Sequence, residues 1–111
     1  MLFQGWKVEF QAEIDRAEAA RQAGNEGMAR VCARRAAGIA AREFLKRQGK
    51  TLPGSSAYDI LKFLGNHSGV SPRIQEVASH FLVRITTDHK LPVEADLIQE
   101  AKWLLQQLHG D

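Results

Sequence analysis

Arg73, Glu76, His80 and Arg84 are the residues whose types and spacing could do chemistry together. At about 100° per residue on a helix, Arg73, His80 and Arg84 fall within an arc of about 40°. Glu76 lies three and four positions from Arg73 and His80, within reach of both. A histidine between arginines and a carboxylate can move a proton while the guanidiniums hold a phosphate. The same residues also read as a polar boundary stripe whose stems cover the edge of a core.

Other chemistry has less to build on. His67, His80, His89, His109 and Cys32 are the only imidazoles and thiol, and no pair has a standard zinc spacing. No metal and no cofactor is expected. Nucleophile elbows, glycine-rich phosphate loops and dinucleotide fingerprints are absent from the sequence. A single cysteine excludes an internal disulfide, and Cys32 is expected as a small core residue. No run has the length and apolarity of a signal peptide or membrane span, so a cytoplasmic location without membrane association is expected.

Net charge is only +2, but its distribution is uneven. Arg30, Arg34, Arg35, Arg42, Lys46, Arg47 and Lys50 crowd one stretch against a single acid, Glu43. That run is either a solvated helix face or a phosphate contact made by Arg35, Arg42 and Lys46.

The elements that must position these groups are helical. At 111 residues, 44% hydrophobic and 25% charged, the chain (1–111) is expected to be one soluble domain. Asn25 to Gly49 predicts a central helix, capped by Asn25, with Ala29, Ala33, Ala36, Ala40 and Phe44 on one side. Arg35, Arg42 and Lys46 fall on the other. Before it, Met1 to Gly24 predicts a helix whose Phe3, Trp6, Phe10, Ile14 and Ala17 supply the aromatic half of the core. The short turn at Gly24-Asn25 implies that these two helices run in opposite directions.

Ser56 and Asp59 form a capping box for a short third helix, Ala57 to about Gly65, with Ile60, Leu61 and Leu64 inward. Ser71-Pro72 starts a fourth, expected to run to about Thr86. A fifth is expected from about Val93 to Leu108, with Trp103 off its apolar face, either as a second contact surface or covered by its own chain. No alternation or hairpin dipeptide suggests a strand. The fold class expected is all-α: a five-helix, mostly up-and-down antiparallel bundle.

Three stretches together resemble the HEPN family of small helical domains. ARVCARRAAGIAAREFLKRQG looks like that family's alanine-rich second helix, and SSAYDILKFL like its short third. PRIQEVASHFLVRI followed by LPVEADLIQEAKWLLQQL is similar to the remainder. The resemblance implies a homodimer that accompanies a nucleotidyltransferase-type partner, an arrangement that includes toxin–antitoxin pairs. Catalytic members are metal-independent ribonucleases marked by an arginine followed, after four to six residues, by a histidine. Arg73 with His80 and Arg84 with His89 both match that spacing, but isoleucine follows each arginine where the family commonly has Asn, Asp or His.

The expected function is therefore a non-catalytic dimeric module that binds nucleotide or RNA phosphate through Arg35, Arg42, Lys46, Arg73 and Arg84. The alternative is a ribonuclease using Arg73, His80, Arg84 and His89. A third is a purely structural interaction domain.

Overall fold

The computed structural model describes residues 5–83 and 95–110. These contain five helices and no strand: α1 (Gly5–Gln22), α2 (Glu26–Arg47), α3 (Ala57–Gly65), α4 (Pro72–His80) and α5 (Leu97–His109). The protein is an all-α helical bundle.

The boundaries follow local chemistry. α1 stops where Gly24 takes φ +80°, with Asn25 N–H returning to Ala20 O at 2.8 Å and Gly24 N–H to Arg21 O at 3.0 Å. That pair of bonds satisfies the last carbonyls of the helix. Asn25 then caps α2, its side-chain oxygen accepting from Met28 N–H at 3.0 Å. One residue closes one helix and opens the next. α2 ends the same way: Gly49 has φ +72° and Lys50 N–H reaches Leu45 O at 3.0 Å. Ser56 and Ser71 cap α3 and α4, accepting from Asp59 and Ile74 N–H.

The last two helices depart from expectation. α4 ends at His80 rather than about Thr86, and Phe81 and Leu82 form a turn closed by Phe81 N–H to Ala78 O and Leu82 N–H to Ser79 O. Beyond it the sequence is rich in β-branched residues, Val83, Ile85, Thr86 and Thr87, which lose side-chain freedom in a helix. α5 begins at Leu97 because Asp96 caps it, accepting from Gln99 N–H at 3.3 Å; Ala95 and Asp96 are not helical. Val93, where that helix was expected to start, and Phe3 lie outside the described residues.

α2 is the central rod. It packs against α1, α3 and α5, while α4 rests on α3 and α5. Its buried set, Ala29, Cys32, Ala33, Ala36, Ala37, Gly38, Ala40, Ala41 and Leu45, covers more than the single alanine face the pattern predicts. Small side chains on several sides let three neighbours approach at once. Phe10, Ile14 and Ala17 of α1, Ile60, Leu61 and Leu64 of α3, and Leu104 of α5 fill the spaces between. Each large member stabilises by about 1.5–3 kcal/mol on burial. Trp6, expected in that core, is only half-buried.

Candidate functional site

Ser71 and Pro72 set the start of α4, which places Arg73 in its first turn and His80 at its last residue. Asp96 sets the start of α5 and so the height of Glu100, Lys102 and Trp103. Where the two helices meet, His80 Nδ1–H donates to Glu100 Oε1 at 2.8 Å. Both side chains are mostly buried. That bond fixes the ring's orientation and leaves Nε2 turned toward Glu76, 4.0 Å from Oε2. Arg73 Nη1 donates to Glu76 Oε1 at 3.0 Å. Arg73, Glu76, His80 and Glu100 thus form one hydrogen-bonding line across the seam.

Beside that line runs an open groove with a volume of about 500 Å³, lined by Arg73, Val77, Glu100, Lys102 and Trp103. The Arg73 guanidinium lies 5.8 Å from the centre of the Trp103 ring, within cation–π range. Trp103 is neither buried nor free: one part packs on the core and another lines the groove. Lys102 Nζ donates to Glu18 Oε2 at 3.2 Å, anchoring this margin of α5 to α1.

No family model, no curated protein and no solved structure matches this chain.

The remaining expected site residues are distributed elsewhere. Arg35 and Arg42 line a smaller groove of about 230 Å³ between α1, α2 and α3, together with Glu9, Glu13 and Ser55. Arg42 stands 4.0 Å from Glu9 and 3.9 Å from Glu43, and Lys46 is 3.6 Å from Glu43. Two of the three cations on this face are therefore partly neutralised by acids of their own chain. Glu13 Oε2 pairs with Arg16 at 3.2 Å, while its Oε1 is buried without a hydrogen-bond partner among the described residues. Among the described members of the expected phosphate set, Arg35 and Arg42 line one groove and Arg73 the other. Arg84 and His89 lie outside the described residues, and the end of α4 at His80 means that no single helical line runs from Arg73 to Arg84. Among the described residues no three His, Cys, Asp or Glu side chains gather as a metal site, and no helix is long and apolar enough to cross a membrane.

Glu100 is the group that spacing alone does not reveal. It sits 20 positions from His80 on another helix, and only the packing of α4 on α5 brings the two together.

Proposed function

We propose that this chain is a cytoplasmic, non-catalytic HEPN-type module, a mostly up-and-down antiparallel bundle that dimerises. It binds the phosphate of a nucleotide or RNA and pairs with a nucleotidyltransferase-type protein. The observation that carries the binding reading is the α4–α5 groove, where the Arg73 guanidinium lies over one face of the Trp103 ring. An indole takes the flat face of a base, and a planar guanidinium takes a phosphate oxygen pair; together they recognise a nucleotide without reading its sequence. The pairings of Arg21 with Asp96, Glu18 with Lys102 and Trp6 with His109 run α5 opposite to α1, and Arg47 over Trp6 gives α2 that same direction, so α5 is where the alternation breaks.

The test is a titration of the full chain with short single-stranded RNA and with ATP at low salt, together with light scattering. The expected result is a dimer that binds, loses affinity steeply as salt rises, and weakens about tenfold or more in Trp103→Ala and Arg73→Ala. A strict monomer with no affinity for either ligand at low salt would sink the proposal.

One observation favours a second reading, the metal-independent ribonuclease. With Nδ1–H held by Glu100, His80 keeps Nε2 for a proton, which is the arrangement of an oriented general base. That reading requires RNA cleavage insensitive to EDTA and abolished in His80→Ala. Cleavage that persists unchanged in the variant would assign it to a contaminant.

A further inference from the structure

Glu76 stands between two partners. Its Oε1 accepts from Arg73 Nη1 at 3.0 Å, and its Oε2 is 4.0 Å from His80 Nε2. With Nδ1–H committed to Glu100 Oε1 at 2.8 Å, Nε2 is the nitrogen left to take up a proton. Neutral, that nitrogen offers Glu76 no hydrogen, and the carboxylate stays with Arg73. Protonated, it becomes a charged donor turned toward Glu76, whose side chain is exposed enough to close the gap. The charges around the groove act in the same sense. Arg73 and Lys102 are opposed by Glu76, Glu100 and Glu18, the last holding Lys102 Nζ at 3.2 Å. This margin therefore carries one net negative charge while His80 is neutral and none once it is protonated. Among the described residues, Glu76 and Glu100 are the carboxylates within 4.0 Å of the ring. The charged groups of α3, Asp59 and Lys62, line a separate depression with Pro53, Phe63 and Asn66.

We propose, on the reading of the α4–α5 groove as a phosphate site, that His80 is its proton switch: phosphate binding at Arg73 is coupled to uptake of a proton on His80 Nε2. The proton draws Glu76 off the guanidinium and removes the net negative charge that an incoming anion meets. Linkage makes the coupling reciprocal, so acid strengthens phosphate binding and bound phosphate favours the protonated ring. His80 acts here as a positioning residue, through Glu76 and Arg73, without touching the ligand.

The experiment is isothermal titration of the full chain with a short oligouridylate lacking terminal phosphates, from about pH 8 to about pH 5.5, the range in which an imidazole changes charge. The probe does not titrate there, so a slope belongs to the protein. Ionic strength is held low and constant. The wild type should bind about tenfold tighter at the acid end, with proton uptake read from buffers of different ionisation enthalpy. His80→Gln keeps a donor for Glu100 but cannot take the proton, and should lose most of that slope while circular dichroism shows the native helix content. Glu76→Gln, at an exposed position, should bind at about pH 8 nearly as tightly as the wild type does at about pH 5.5. His67→Gln, whose native ring contacts Gln48 instead, should keep the slope. A flat wild-type profile with clear RNA binding would overturn the switch and leave the groove reading standing, whereas no binding at any pH would overturn both. An equal slope in His80→Gln, or no gain in Glu76→Gln, would also overturn the switch.

Discussion

Arg21 Nη1 donates to both carboxylate oxygens of Asp96, at 3.0 and 3.2 Å, across 75 positions of sequence. The other edge of the same guanidinium holds Glu26, Nε at 3.1 Å and Nη2 at 2.8 Å. One planar group therefore joins the end of α1 to the start of α2 and to the cap of α5. The hydrogen bonds to Glu26, opposed by partial burial and reinforced by Asp96, hold the Arg21 guanidinium well above its ordinary value. A lysine has the charge but not the fork. Arg21→Lys should therefore lose most of what Arg21→Ala loses, about 1 kcal/mol for so exposed a cluster. The measurement is urea denaturation of both variants. Wild-type stability in Arg21→Lys would show that charge alone suffices.

The same cluster sets an acid response. Hydrogen bonding to Arg21 holds the Glu26 carboxyl below its ordinary value despite some desolvation. Burial pushes Asp96 up, but the bonds from Arg21 and Gln99 outweigh it and the net shift is down. Carboxylates lowered in the folded state bind fewer protons there than in the unfolded chain. Their contribution is complete above the ordinary carboxyl range and is lost as pH falls through the depressed values. The urea midpoint should drop on acidification below about pH 4.5, and less steeply in Arg21→Ala. Parallel acid profiles for the two proteins would remove the cluster from the explanation.

Local signals in the sequence identify most helix ends because each depends on neighbours within four positions. Asn25, Ser56 and Ser71-Pro72 all cap where expected, and Gly49 closes α2 with a positive φ. Asp96 was equally legible, since Asp followed by Gln99 three positions on spells a capping box. The end of α4 was less accessible: the apolar spacing of Phe81, Leu82 and Ile85 continues a helical period although the backbone turns at Phe81. Periodicity reports which residues want burial, not which backbone delivers them. What the sequence could not disclose was tertiary. Neither Glu100 beside His80 nor Arg47 over Trp6 follows from any spacing, because each pair is made by helices meeting.

His109 should make stability depend on pH near neutrality. Burial, with Arg47 and Lys7 nearby, outweighs the hydrogen bond to Ala40 O and the charge of Glu43 and holds its imidazole below the ordinary value of about 6.5. The unfolded chain takes up the proton first as pH falls. Stability is therefore complete above the ordinary value and declines as pH drops from there toward the depressed folded value. His109→Gln keeps a donor for Ala40 O but cannot titrate in this range. Its stability between about pH 7.5 and pH 5.5 should be flatter than that of the wild type. The same slope in both proteins would place the titrating group elsewhere.

Cys32 should resist modification while the protein is folded. It is buried in α2, and burial, with the Glu13 carboxylate nearby, pushes its thiol up. Both the access and the thiolate that alkylation needs are suppressed. Labelling by iodoacetamide at about pH 8 should be slow in buffer and fast in denaturant. Rapid labelling of the native protein would mean that α1 opens from α2 far more often than their packing implies.

Gly38 is the position where adding one carbon should cost most. A Cβ built there lies 2.7 Å from Ala57 Cβ and 2.9 Å from Ala57 Cα, so it meets the backbone at the start of α3 rather than a side chain able to turn away. Helix propensity pulls the other way, because alanine in place of glycine within a helix gains about 1 kcal/mol. Overpacking against a fixed backbone costs about 1–3 kcal/mol, and α3 is held in place by its Ser56 cap and by Ile60, Leu61 and Leu64 in the core. The balance favours net destabilisation by about 1 kcal/mol or more. Gly27 is the internal control: near the start of the same helix, its nearest contact for a new Cβ is an ordinary 3.8 Å from Asn25 Oδ1. Gly27→Ala should raise the thermal midpoint slightly while Gly38→Ala lowers it by several degrees. If both variants gain stability, α3 does not sit as closely on α2 as the Gly38–Ala57 contact requires.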